Sequence, residues 1–144
     1  MNKILFTAAI STLLAVSALG QDTSINPIDK KLNNCLATAK ATMPRAECYS
    51  AASEAWEKDI ETTYAALIKK LSALGESAAH IKELIESSQT AWEKYRDAQF
   101  DVFSEEYGKK RGTGYIVPRI TIRIDVMRPR AIELENELGK YSAE

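Results

Sequence analysis

The sequence predicts an all-α fold organised around a long antiparallel helical hairpin. Two stretches of about thirty residues carry apolar side chains at alternating three- and four-residue spacing, which is typical of amphipathic helices. Only a short segment around Gly75 separates them, and helices joined by a short turn pack antiparallel. We therefore expect helices at about 44–74 and 77–107, flanked by a short helix before them and another helix after them.

The first twenty residues, 1–20, are predicted to be a signal peptide. Lys3 precedes an apolar run from Ile4 to Leu19, and Ala18-Leu19-Gly20 fits a small-x-small cleavage site. At about 16 residues the run is short for a membrane span. No cysteine follows it for lipid attachment. We expect cleavage near Gly20-Gln21, leaving a single periplasmic or secreted domain over 21–144 with no transmembrane span.

The mature chain should begin with a short helix from about 28 to 40. Asn26 is a suitable N-cap, and Pro27 suits the first helical position. After a turn in which Thr42 is the candidate cap, Pro44 opens the first helix of the hairpin.

The two cysteines, Cys35 and Cys48, lie on these consecutive helices. Disulfides persist in the exported compartment, and a tight turn between the helices lets the two residues approach. With no further cysteine and His80 as the single histidine, their spacing fits no metal site. We predict a Cys35–Cys48 bridge that fastens the first helix to the hairpin.

The hairpin should close through one apolar stripe on each helix, with a turn at Gly75 and a cap at Ser77. The stripe of the first long helix comprises Tyr49, Ala52, Trp56, Ile60, Thr63, Leu67, Leu71 and Leu74. The stripe of the second comprises Ile81, Leu84, Ile85, Ser88, Trp92, Tyr95, Gln99, Val102 and Phe103.

Aligning the two stripes about Gly75 gathers a patch at mid-hairpin. Its members are the candidate binding residues Trp56, Asp59, Trp92, Tyr95 and Arg96, with Asp97 beside them. Aromatic residues on a helical stripe are usually core, in which case Arg96 would extend outwards to pair with Asp59. Alternatively, part of the patch stays accessible as a binding hot spot. The same face could also bury a second copy of the chain, so the oligomeric state stays open.

The segment 116–128 fits two periodicities. Alternating isoleucines at 120, 122 and 124 are typical of a strand. An equally regular helical stripe is formed by Ile116, Ile120, Ile124, Met127, Ala131, Leu134 and Leu138. A lone strand would leave its backbone unpaired, so we favour a helix that Pro129 kinks or interrupts.

The charges are segregated along the chain. Residues 47–106 hold thirteen acidic and six basic residues, a net charge of −7, whereas residues 109–130 hold seven bases and one acid, a net charge of +6. The basic strip could pack beside the acidic hairpin and neutralise it. Alternatively, the two form opposed surfaces, and the exposed bases Lys109, Lys110 and Arg111 suit an anionic partner.

Several function classes are not expected. His80 has no evident acid or nucleophile partner, the carboxylates have helix-surface spacing, and Gly112-Thr113-Gly114 is too short for a phosphate loop. We therefore expect no catalytic residues, metal or cofactor. The export signal removes the basic strip from nucleic acids, so we do not expect nucleic-acid binding.

Gln89-x-x-Trp92-x-x-Tyr95-Arg96-Asp97-Ala98-Gln99 resembles the central motif of the lysozyme inhibitor LprI N-terminal-domain family. The cysteine pair followed by a helix with Trp56 and Tyr64 is similar to that family as well, and the resemblance covers roughly 30–138. It implies an exported, disulfide-containing helical domain whose named member inhibits lysozyme. Members usually carry a further cysteine where this chain has Phe100, with a partner near Ile122.

The resulting expectation is a non-enzymatic protein-binding module that acts through the acidic hairpin, with lysozyme or another cell-wall hydrolase as partner. Common animal lysozymes are strongly basic, so the acidic surface would steer association. Two alternatives remain open: an envelope or stress module that binds peptidoglycan or outer-membrane components, and an immunity protein against a cell-wall-degrading toxin.

Overall fold

The computed structural model describes residues 25–141, which form four α-helices and two 3-10 turns. The helices are α1 (Pro27–Thr38), α2 (Thr42–Ala73), α3 (Ala79–Gly108) and α4 (Ile116–Lys140), with 3-10 turns at Gly75–Ala78 and Thr113–Tyr115. No strand occurs within this range, so the all-α prediction is confirmed. The predicted signal peptide and its cleavage site lie outside the described residues.

Two of the four residues predicted to start or stop a helix do so in the structure. Asn26 Oδ1 accepts a hydrogen bond from the Ile28 N–H at 2.8 Å, as an N-cap should. Gly75 has φ +65°, a backbone conformation that few other residues adopt, and the chain reverses there.

The other two predicted caps are wrong. The helix α2 begins at Thr42 itself, with no side-chain hydrogen bond at its start. Ser77 donates to the Leu74 carbonyl at 2.9 Å inside the 3-10 turn, so α3 begins only at Ala79. Both helices therefore begin without a hydrogen bond from a capping side chain.

The core lies mainly between α2 and α4, whereas the predicted hairpin placed it between α2 and α3. Both predicted stripes of these two helices are buried at their centres. The fully buried large side chains are Trp56, Leu67, Leu71, Met127 and Leu134. Since α3 runs antiparallel to both neighbours, α4 lies parallel to α2 and occupies the position that the sequence assigned to α3.

The helix α3 packs against this pair with one narrow face. Only Gln89 is fully buried along its 30 residues. Ile85, Trp92 and Phe100 are partly buried against the core. The predicted α3 stripe is therefore divided, because part of it faces inwards and the rest is exposed.

The helix α4 settles the ambiguity at 116–128 in favour of helix and runs unbroken through Pro129. The prediction was that Pro129 kinks or interrupts this helix, and the proline does not interrupt it. Pro129 and Asp125, whose carbonyl loses a helical donor to the proline ring, are both exposed. Within residues 25–141 no helix is both long enough and apolar enough to cross a membrane.

The short helix α1 is attached to the bundle at its side. It contains no fully buried residue, although Ile28 and Leu32 pack against the core. The predicted Cys35–Cys48 bridge is confirmed, with a Cα–Cα distance of 5.7 Å. An ion pair between Asp29 and Arg128 adds a contact to α4.

Candidate functional site

A groove between the middle of α3 and α4 contains the central sequence motif. Its volume is about 220 Å³. It is lined by Trp92, Tyr95, Asp125, Val126, Pro129, Arg130 and Glu133. Trp92 and Tyr95 of the motif thus lie opposite α4, which was not predicted to pack here.

Arg130 forms the floor of the groove. Its side chain is only 4% exposed, and its Nε and Nη2 donate to Gln89 Oε1 at 3.1 and 3.0 Å. Nη1 donates to Ser88 Oγ at 3.3 Å and to a Glu133 carboxylate oxygen at 3.0 Å. The guanidinium lies 5.9 Å from the centroid of the Trp92 ring. A buried guanidinium with this many acceptors holds its neighbours in fixed positions.

The α3 wall of the groove is made by stacked side chains of the motif. The Arg96 guanidinium lies 5.4 Å from the Trp92 ring centroid and forms an ion pair with Asp97 at 2.7 Å. Tyr95, in contrast, projects outwards with 54% of its surface exposed. The Trp92 ring therefore lies near two cations, whereas Tyr95 offers an open aromatic face.

The structure separates the predicted patch into two parts. Trp92 and Tyr95 line the groove, and Arg96 lies near the Trp92 ring and pairs with Asp97, but Trp56 is fully buried in the core. The pairing of Asp59 with Arg96 does not form, because Arg96 pairs with Asp97 and Asp59 contacts α4. The reason is that α4 lies against the face of α2 that was assigned to α3.

Asp59 meets Glu135 of α4 in a pair of carboxyl groups. Burial raises the pKa of Glu135, and the charge of Asp59 and a hydrogen bond between the two side chains raise it further. The buried Asp59 Oδ2 and the buried Trp56 Nε1 have no hydrogen-bond partner within residues 25–141.

The basic residues Lys109, Lys110 and Arg111 are exposed where α3 ends. Lys109 pairs with Glu105, and the Lys110 ammonium lies 4.6 Å from the Tyr107 ring centroid. Close by, a depression of about 360 Å³ is lined by residues that include Phe100, Arg119 and Arg123.

Arg119 holds this end of α3 in place. Its Nη2 donates to the carbonyl oxygens of Tyr107 and, at 2.7 Å, of Lys110. A guanidinium satisfies terminal carbonyls that the helix itself leaves without donors. Of the basic strip, Arg119 and Arg130 are thus used in holding α3 to α4.

Arg130, Asp125 and Glu133 line the groove and Gln89 accepts hydrogen bonds from Arg130, but none of the four was predicted as a site residue. Arg130 directly precedes Ala131 in the apolar stripe of α4, and Gln89 lies one turn before Trp92. A polar residue at a core-facing position of each helix is the signal that could have paired them.

The groove has the chemistry of a binding site. Arg130 is saturated with acceptors, and at the rim the carboxylates of Asp125 and Glu133 lie beside the rings of Trp92 and Tyr95. Carboxylates next to aromatic faces suit a cationic side chain of a partner. Within residues 25–141 no three or more His, Cys, Asp or Glu side chains are grouped to hold a metal ion.

Comparison with protein families gives a match over most of the chain. The family model described as lysozyme inhibitor LprI matches residues 29–134. The chain belongs to the lysozyme inhibitor LprI family. The comparisons with curated proteins and with solved structures give no match.

Membership in the LprI family supports a role like that of a lysozyme inhibitor, in which the chain binds a protein. It is consistent with a protein that is not an enzyme, and with the disulfide it points to a location outside the cytoplasm. The matched region contains the motif, the groove and both cysteines.

Proposed function

We propose that this LprI-family chain inhibits a basic cell-wall hydrolase of the lysozyme type, which it binds through the acidic surface of α2 and α3. The observation that carries the proposal is the exposure of the acidic residues. Of the thirteen acidic side chains in 47–106, all except Asp59 and Glu86 are exposed. A surface of this charge attracts a basic partner and orients it during the approach.

The groove beside Tyr95 provides the short-range part of the proposed contact. Its rim combines an open aromatic ring with the carboxylates of Asp125 and Glu133. An arginine or lysine of the hydrolase would insert there, and a bound inhibitor would keep the glycan from the enzyme. Aromatic residues in fixed positions are frequent hot spots of protein interfaces.

The proposal is tested by adding the mature protein to a lysozyme turbidity assay at low salt. We expect inhibition, and we expect the triple variant Glu83→Lys/Asp97→Lys/Asp101→Lys to inhibit at least about tenfold less well, because it reverses exposed charges on α3. The matched control, Lys109→Glu/Lys110→Glu/Arg111→Glu, should inhibit as well as the wild type or better. Absence of inhibition at large molar excess would exclude lysozyme as the target.

A second candidate function is binding of an envelope polyanion, such as peptidoglycan or an outer-membrane component, through Lys109, Lys110 and Arg111. Their exposure at the end of α3 favours it. Local contacts with Glu105 and Tyr107 already use part of their charge, which makes this candidate weaker. Retention on isolated sacculi that the control variant above abolishes would support it.

A further inference from the structure

Pro129 lies in the interior of α4, where proline is unfavourable for the helix. Its ring carries no N–H, so the hydrogen bond that residue 129 would donate to the Asp125 carbonyl is missing. The ring also pushes that carbonyl away from the helix axis. A residue that breaks a local rule in this way often marks a functional site, because natural chains tolerate the cost there.

The carbonyl that Pro129 leaves without a donor lies at the groove. In a helix, a carbonyl and the residue four positions later lie on the same face, one turn apart. Asp125 and Pro129 both line the groove, so the Asp125 carbonyl lies on the wall between them. The groove therefore contains a backbone acceptor that a donor from another molecule can reach.

The side chain of Asp125 is available as well. Glu133, the other carboxylate of the groove, is paired with Arg130 at 3.0 Å. Arg128 follows Asp125 by three residues, which is within reach along a helix, but it pairs with Asp29 instead. Within residues 25–141 the exposed Asp125 carboxylate forms no ion pair. Asp125 thus offers two acceptors at the groove, a carboxylate and a backbone carbonyl.

The aromatic wall of the groove favours a flat cation. Tyr95 exposes 54% of its surface, and its ring lines the groove next to Trp92. The two guanidinium groups beside the Trp92 ring are each paired with a carboxylate, so they leave little net positive charge there. An additional guanidinium is planar, stacks on an aromatic ring and carries five N–H groups, whereas an ammonium is a compact charge.

We propose that the groove binds an arginine side chain of the partner protein, and that Pro129 keeps the Asp125 carbonyl free to accept one of its hydrogen bonds. This inference rests on the proposed function in taking the partner to be a basic protein, and it names arginine as the residue recognised. The guanidinium stacks on Tyr95 and donates to both acceptors of Asp125. A lysine reaches the carboxylate but does not stack in this way.

The probe is N-acetyl-arginine amide, titrated into the mature protein and followed through the NMR resonances of the Trp92 indole and the Tyr95 ring. We expect saturable shifts, and binding of the lysine analogue at least about threefold weaker. The citrulline analogue has nearly the same shape without the charge and should give no saturable shift. Asp125→Asn should weaken arginine binding at least about fivefold, because it removes the charge and keeps the backbone carbonyl.

The variant Pro129→Ala tests the role of the proline. Alanine restores the N–H that occupies the Asp125 carbonyl, so arginine binding should weaken at least about threefold while the melting temperature rises. Weaker binding by a more stable protein is not a result of unfolding. The matched control is Pro118→Ala in the first turn of the same helix, where an N–H has no partner within the helix. This control should change the affinity less than about twofold.

The inference is overturned if the arginine probe does not bind, if the citrulline analogue binds equally well, or if Pro129→Ala binds the probe as tightly as the wild type. The lysozyme assay, run in parallel, separates these failures from failure of the proposed function. Lysozyme inhibition without probe binding would overturn the inference and leave the proposed function to the acidic surface. Probe binding that Pro129→Ala weakens, without lysozyme inhibition, would support the arginine site and exclude lysozyme as its target.

Discussion

Arg130 shows how a single residue joins two helices that share little buried apolar surface. Its guanidinium is nearly inaccessible and donates two hydrogen bonds to Oε1 of Gln89, the only fully buried residue of α3. The position of α3 on the bundle therefore depends on a polar contact rather than on a large apolar one. Removing one partner of such a contact is costly, because the other partner stays buried without a hydrogen bond.

We expect Arg130→Met to lower the free energy of unfolding by about 2–4 kcal/mol, since it leaves Gln89 Oε1 buried without its donor. Adding Gln89→Met should restore part of the loss, because the pair is then replaced by apolar groups. Urea denaturation of Arg130→Met, Gln89→Met and the double variant measures the coupling. Arg128→Met is the control, since Arg128 lies on the same helix in an exposed ion pair and should cost about 1 kcal/mol or less. Equal losses at 130 and 128 would contradict this interpretation.

The Asp59–Glu135 pair should make stability depend on pH. The pKa of Glu135 is raised in the folded chain above its ordinary value of 4.5, so below that value the folded and unfolded states are both protonated and no penalty exists. As the pH rises through the raised value, the folded state must ionise a carboxyl beside Asp59, and stability is lost.

Glu135→Gln should therefore raise the melting temperature at pH 7 by about 2–4 °C, because the amide N–H donates permanently to Asp59. The advantage over the wild type should shrink towards pH 4. Thermal denaturation at both pH values measures it, with Glu106→Gln, an exposed acid of α3, as the control that changes neither. An equal gain at pH 4 and pH 7 would show that the ionisation of Glu135 is not the cause.

At Phe100, a non-covalent contact between side chains stands where the family resemblance implies a disulfide. The resemblance of the sequence to the LprI family implies a cysteine at this position and a partner cysteine near Ile122, and this chain has neither. Here the Arg123 guanidinium lies 4.6 Å from the Phe100 ring centroid, beside Ile122. A cation–π contact thus joins α3 and α4 at the place of the missing bridge.

At the scale of elements, α1 depends on its disulfide. It is twelve residues long and buries no residue completely, so its apolar contacts alone provide little stability. The bridge closes a loop with a sequence separation of 13, which is worth roughly 3 kcal/mol in the chain-entropy model.

Cys35→Ser/Cys48→Ser should lower the free energy of unfolding by about 2–4 kcal/mol. It should also speed amide hydrogen exchange in α1 far more than in α2 or α4, because α1 would detach locally before the bundle opens. Exchange followed by mass spectrometry distinguishes the segments. Lys31→Ala, an exposed change on α1, should leave the exchange pattern as it is. Protection of α1 that persists without the bridge would refute the role assigned to it.

The sequence predicted the helices better than it predicted their partners. Periodicity identifies which side of a helix is apolar, and the stripes of α2 and α4 were found in this way. Periodicity does not show which stripe packs against which. In α3 it also did not distinguish the apolar residues that face the core from those that are exposed. The groove escaped prediction for the same reason, since it required α4 to lie beside the Trp92 motif.

At the scale of the whole molecule, charge segregation survives folding only in part. Several basic residues form contacts within the chain. Arg119 binds carbonyl oxygens at the end of α3, Arg128 pairs with Asp29, and Arg130 binds Gln89. The acidic residues of 47–106, in contrast, are mostly exposed. The exposed surface of α2 and α3 is therefore strongly acidic, although the net charge of the chain is only −1.

This asymmetry predicts how association with a basic hydrolase depends on salt. The screening length falls from about 30 Å at 10 mM to about 8 Å at 150 mM ionic strength, so steering by the acidic surface is lost over this range. We expect the association rate constant with lysozyme to fall about tenfold or more, and the dissociation rate constant to change much less, since apolar contacts at Tyr95 are insensitive to screening.

Stopped-flow measurement at both salt concentrations separates the two rate constants. The Lys109→Glu/Lys110→Glu/Arg111→Glu variant is the control, because it makes the chain more acidic and should associate faster than the wild type at 10 mM but at nearly the same rate at 150 mM. An association rate that does not vary with salt, or that falls in this variant, would show that the partner is not recognised by its positive charge.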